Sequence, residues 1–398
     1  MKRRFLMLVV MAVAGLATMF AQVKNYGNGL QEYKLSNGLT VYLWEDNSVQ
    51  DVFGRVVVRA GSLDEPADYT GLAHYLEHMM FKGTETIGAL DWAKEKPIYD
   101  SIIDAYSRLN AWGKAHENDK PSKKENPERL AIIQEINELS LRAAQYGATN
   151  DFSNLTESFG GDELNAFTSY DLTAYHSTFP PTAMEKWIKL NSDRLINPVF
   201  RSFQAELENV FEEYNMYNDD MGTHQRQFLY ENLYANTPYD RDVIGYAKHL
   251  KNPSLQALID FYHTWYVPNN MCLLLVGNFN SETAKPLIEQ YFGRLEAKEL
   301  PARIQYTDKP FPSDKAKLSV GYMPQYIWAY KGVKMGHADE TTLDFAISLL
   351  NNSHETGLLD RLMLDGEVGG AYVSNDERRI AGRIMVIGVP YYDMATRS

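Results

Sequence analysis

Two short runs with period-two alternation, 31–35 and 39–44, flank Asn37-Gly38. The pattern predicts a β-hairpin, because both turn residues tolerate positive φ. The valine-rich stretch 52–60 predicts a further strand. Gly61, Ser62 and Pro66 then break the chain before Thr70, a candidate N-cap, and 71–81 carries apolar residues at helical spacing up to Gly83. Two longer amphipathic patterns, 92–112 and 127–146, flank the lysine- and proline-rich segment 114–127. They read as a helical hairpin with a solvated tip. A strand over 164–170 follows Gly160-Gly161, and helical patterns cover 182–195, 203–218, 225–234 and 254–266. A buried strand from Met271 and a closing helix over 281–292 complete the unit.

The polar segment 296–314 carries three prolines and no apolar period, which marks a boundary between domains. Beyond it a second unit is expected, with a strand from Ala316, a helix near 341–350 and strands near Ala371 and Met385. These are too few elements to close a sheet-and-helix layer, so that unit is expected to be incomplete. The expected organisation is therefore a leader over 1–21, a first domain over 22–297 with an insertion at about 88–150, a linker over 298–315, and a second domain over 316–398.

Lys2, Arg3 and Arg4 precede an almost unbroken apolar run over 5–20. This is the pattern of a cleavable export signal cut near Ala21, which predicts a periplasmic or secreted protein without a stable membrane anchor. The formal net charge of −13 argues against a nucleic-acid partner, since neutralising phosphates needs a basic face. Cys272 is the only cysteine. No intramolecular disulfide can form, so burial must hold the core together.

The chemistry concentrates in His74-Tyr75-Leu76-Glu77-His78. On a helix, positions four apart share a face, so His74 and His78 can converge on one zinc ion, with bonds of about 2.0–2.1 Å. Glu77 shares that face and is placed to take a proton from water that such a metal acidifies. A catalytic site needs a third protein ligand. The helix predicted at 203–218 offers Glu206, Glu208, Glu212 and Glu213. Glu206 and Glu213 are two turns apart and lie on the same side, so one could bind metal while the other orients a histidine. Periodicity does not choose between them. The seven other histidines share no ligand spacing with one another.

The segment 71–84, Gly-Leu-Ala-His-Tyr-Leu-Glu-His-Met-Met-Phe-Lys-Gly-Thr, resembles the signature of the pitrilysin, insulin-degrading and mitochondrial-processing peptidases. Gly160-Gly-Asp-Glu-Leu-Asn-Ala-Phe-Thr-Ser169 is similar to that family's second block, and Glu206 to Glu213 with Val210 fits a third. Pro238-Tyr239 and Gly245 fit another. The resemblance implies an α+β fold of two related units, each an antiparallel-rich sheet with helices packed on it. It implies one Zn²⁺ per chain, Glu213 as third ligand, Glu206 as the carboxylate orienting a histidine, and Glu77 as general base. Asn165 and Ala166 are then expected on an edge strand that pairs with the bound peptide.

The implied activity is zinc-dependent endopeptidase cleavage of peptides or small unfolded proteins. The alternatives are a non-catalytic scaffold of the same fold, or a dedicated processing peptidase that needs a partner half. Two features depart from the family. His78 and Glu213 stand 135 residues apart, and a surface insertion over 90–146 accounts for this, since loop-closure entropy grows slowly with length. Family members also use an Arg and a Tyr from the opposite half of a clamshell. Here the comparable positions are Asp365 and Tyr372, so the Arg is expected from a second half or a partner chain.

Overall fold

A computed structural model describes residues 23–117, 119, 126–148, 150–319, 324–352 and 354–391. The expected leader lies outside the described residues. The fold is α+β, as expected. The described residues pack as two compact units: one holds those up to Asn215 together with Val243–Arg303, the other Met216–Asp242 and those from Ile304 onward.

In chain order the first unit contains β1 (Lys24–Tyr26), β2 (Leu30–Lys34), β3 (Thr40–Glu45), β4 (Val52–Val58), α1 (Leu72–Met79), α2 (Trp92–Ala115), α3 (Pro127–Ala143), α4 (Asp151–Ser158), β5 (Asp162–Thr168), β6 (Thr173–Phe179), α5 (Met184–Ile196) and most of α6 (Phe203–Asp219). After α7 (Met221–Leu233), which groups with the second unit, come α8 (Ala247–Leu250), α9 (Leu255–Trp265), β7 (Met271–Gly277) and α10 (Ser281–Phe292).

The seven strands form one sheet in the order β1-β2-β3-β7-β4-β6-β5. Every pairing is antiparallel except β3 with β7. β4 and β7 alternate buried and half-buried positions along their whole length, so one face of these central strands packs on the core and the other is only partly covered. At Gly54 the ring of Trp187 lies where a Cβ would sit, so α5 packs close against the sheet only because that position is glycine.

β6 was not foreseen. Its sequence, Thr-Ala-Tyr-His-Ser-Thr-Phe, places polar residues at buried positions, and only tertiary partners satisfy them. Ser177 accepts the Trp187 indole N–H at 2.8 Å, and the Tyr175 and Tyr266 hydroxyls meet at 2.8 Å. α4 and the short β1 were also missed.

The hairpin α2–α3 is firmly rooted. Ile102, Ala105, Tyr106, Leu109, Ile132 and Ile136 are buried in the first unit's core. At its base Leu90 N–H donates to the Tyr146 carbonyl and Ala148 N–H to the Gly88 carbonyl.

The second unit has α7, β8 (Tyr326–Gly332), α11 (Glu340–Leu350), α12 (Leu358–Leu364), β9 (Gly370–Glu377) and β10 (Gly382–Val389), with an antiparallel sheet ordered β8-β10-β9. The strand expected from Ala316 begins only at Tyr326, and α12 was not foreseen. Within this unit the Arg383 side chain is buried and donates to the Leu233 carbonyl and the Asp308 carboxylate. That contact ties α7 to β10.

Candidate metal centre

α1 presents the His74–His78 motif because its other face is fully used. Leu72, Ala73, Tyr75, Leu76 and Met79 are buried in the core. Thr70 does not cap the helix. Gly71 takes the capping position at φ +87°, where a Cβ would collide with the Ile244 carbonyl. The Glu65 carboxylate instead accepts from the N–H groups of Gly71 (3.1 Å) and Ala73 (2.9 Å). Thr70 turns its hydroxyl to the Tyr246 N–H, at 2.9 Å.

α6 runs beside this helix and settles which of its glutamates face it. Glu213 Oε2 lies 3.7 Å from Nε2 of both His74 and His78, and the two Nε2 atoms are 3.3 Å apart. A tetrahedron with zinc–ligand bonds of about 2.0–2.1 Å has edges of about 3.3–3.4 Å. The three donor atoms therefore stand at nearly the separations that one tetrahedral ion needs, and two imidazoles with a carboxylate suit zinc chemically. Glu206, two turns earlier, accepts from His78 Nδ1 at 2.8 Å. This bond puts the His78 proton on Nδ1 and leaves the Nε2 lone pair facing the other donors. Glu208 and Glu212 are exposed on α6.

Charge follows geometry. Burial, assisted by the neighbouring His78, holds His74 down to about 4, so it is neutral near pH 7. For His78 burial acts downward, but the Glu206 hydrogen bond and the surrounding carboxylates outweigh it and raise the pKa. Burial acts upward on Glu206, yet its bonds to His78 and to Lys82 Nζ (2.5 Å) pull it to about 2. Glu77 is buried and its pKa is raised, chiefly by desolvation; the Thr168 hydroxyl, which donates to its Oε2, works in the opposite sense.

Lys82 and Thr168 escaped the sequence reading as site residues, although both lie inside the quoted blocks. Only the packing of β5 against α1 brings Thr168 to Glu77. Asn165 and Ala166 lie on β5, which is the last strand of the sheet and among the described residues pairs only with β6, opposite His176 and Tyr175. Asp365 is the C-cap of α12 and Tyr372 stands on β9, both in the second unit.

The family profile described as Insulinase (Peptidase family M16) matches residues 40–96 and 136–246, and that described as Peptidase M16 inactive domain matches 253–387. The chain belongs to peptidase family M16. All the residues gathered around His74 fall in the first match, which is interrupted where most of the α2–α3 hairpin lies.

Among M16 relatives, the uncharacterized zinc protease YmxG of Bacillus subtilis is 22% identical over 84% of this chain and 66% of its own length. The probable zinc protease PqqL of Escherichia coli is 26% identical over 66% of this chain but only 23% of its own length. The chain thus spans between about a quarter and two thirds of these relatives. In structure it resembles a protease from Helicobacter pylori (TM-score 0.67, 20% identity, 92% of this chain and 76% of that one). It also resembles pitrilysin (TM-score 0.64, 20% identity, 94% of this chain and 35% of that one).

Proposed function

We propose that this chain is the zinc-holding part of an M16 metalloendopeptidase that hydrolyses peptides or small unfolded proteins. The observation that carries the reading is the near-tetrahedral spacing of one carboxylate and two imidazole donors, with the buried, proton-seeking Glu77 carboxylate on the same helix. The naming of relatives as zinc proteases supports it. His74, His78 and Glu213 would hold one Zn²⁺, which when bound polarises a carbonyl and makes water more acidic.

The rest is work for side chains. Glu77 accepts the proton of the attacking water and delivers it to the leaving amine; burial keeps it basic enough to do so. Thr168 holds the Glu77 carboxylate in one orientation. Glu206, steadied by Lys82, fixes the His78 ring. The free edge of β5 at Asn165 and Ala166 offers main-chain groups to an extended peptide, which reads many sequences alike. A second half supplying the cation absent at Asp365 is part of the proposal. Among the described residues no helix is long and apolar enough to cross a membrane. Export to the periplasm agrees with the description of PqqL as a periplasmic protease.

The test is metal analysis and peptide cleavage on one purified sample. About one zinc per chain is expected, with cleavage abolished by a chelator and restored by added zinc. A protein that keeps no zinc through dialysis overturns the reading.

A further inference from the structure

A cavity of about 630 Å³ opens where the α2–α3 hairpin meets the segment 247–253, wholly within the first unit. Lys114, at the end of α2, and Arg129, at the start of α3, line one side. Lys248 and Lys251 line the other. Two carboxylates, Asp68 and Glu117, also line it, leaving among the described residues a surplus of two positive charges, in a chain whose net charge is −13. Among the described residues Arg129, Lys248 and Lys251 make no ion pair. The ammonium groups of Lys248 and Lys251 rest instead 5.9 and 5.4 Å from the ring centres of Tyr246 and Phe211. Like charges gathered around one concavity repel, and a bound counter-charge relieves them.

The cavity is built for more than a diffuse ion. Tyr69 and Trp112 give it aromatic surface, and the Lys114 ammonium lies 5.1 Å from the Tyr69 ring centre. Trp112 stacks on His116 with ring centres 4.1 Å apart, and its buried indole N–H has no acceptor among the described residues. The two sides meet where Gly113 lets the Asn252 side chain come into the space a Cβ would fill. The volume is that of a small-molecule site. Leu109 to Glu117 and Arg129 fall in the stretch that the family profile skips, whereas Asp68 and Tyr69 fall inside it, so the hairpin adds one wall to a cavity whose other side includes matched residues.

We propose that this cavity binds a small polyanion, recognised through phosphate or carboxylate groups by Lys114, Arg129, Lys248 and Lys251. The proposal does not depend on peptidase activity.

Isothermal titration of the full zinc-loaded chain with pyrophosphate, and separately with citrate, tests it in low-salt buffer free of other polyanions. One saturable site is expected for at least one of the two, and the anion preferred identifies the group recognised. Arg129→Ala and Lys251→Ala, from opposite walls, should each weaken binding about tenfold. Lys285→Ala, remote in the fold on α10, should not. Zinc content should stay the same in all variants, which separates failure here from failure of the metal site. The proposal is overturned if neither anion binds at about 1 mM, or if both wall variants bind with wild-type affinity.

Discussion

Glu213 Oε2 and two imidazole nitrogens meet across a 135-residue separation, so at the residue scale the site depends on three atoms arriving together. Glu213→Ala removes one donor and should release zinc, whereas Glu212→Ala, which removes an exposed neighbour, should not; metal content of both purified proteins measures this. Glu77→Gln keeps the size and removes the base. It should retain zinc while cleavage falls by about 10² or more, and cleavage at wild-type speed would refute the assignment.

The Thr168 hydroxyl lowers the pKa that burial raises in Glu77. The base works deprotonated, so activity falls as pH drops through its pKa. Thr168→Val removes the lowering contribution and should move the acidic limb of kcat/KM to higher pH. A limb that stays in place, or moves to lower pH, would show that Thr168 does not tune this carboxylate.

At the scale of elements, the hairpin α2–α3 holds two ion pairs of very different character. Glu95 is buried and grips Arg201 through two bonds, at 2.6 and 2.9 Å. Arg201 also donates to the carbonyls of Lys82, Thr84 and Ile87. One guanidinium thus joins the hairpin to the segment leaving α1 and to the start of α6. Glu95→Ala leaves that cation buried and poorly matched, which should cost about 3–5 kcal/mol. The Arg108–Glu135 pair on the same hairpin is exposed on both sides, so solvent screening should make its removal cost far less than that of the buried pair. Denaturant unfolding of the two variants compares them directly. Equal losses would mean that the buried pair does not anchor the hairpin.

Over the whole molecule, the donors all belong to one of two separately packed units. A ligand that binds only the native state stabilises what it binds, by about 4 kcal/mol at a thousandfold excess over its Kd. Calorimetry should therefore show chelator lowering the transition of the first unit and leaving that of the second in place. A uniform shift of both would show that the units unfold as one.

Much of this was legible in the residues alone. Periodicity located α1, α6, α10, the β2–β3 hairpin and β7, because each carries an uninterrupted apolar face or a strong turn signal. The spacing of His74 and His78 determined that their rings share a face, since four residues make nearly one helical turn whatever the surroundings. Other features were not local. β6 hides polar groups whose partners are distant in sequence, α1 takes its cap from Glu65 instead of its neighbour Thr70, and Lys82 and Thr168 acquire meaning only through Glu206 and Glu77. The choice between Glu206 and Glu213 was likewise undecidable from one helix, because residues two turns apart are equivalent by periodicity. Where α6 lies along α1 puts Glu213 beside both Nε2 atoms and Glu206 beside His78 Nδ1, a placement set by packing between segments that the chain itself keeps far apart.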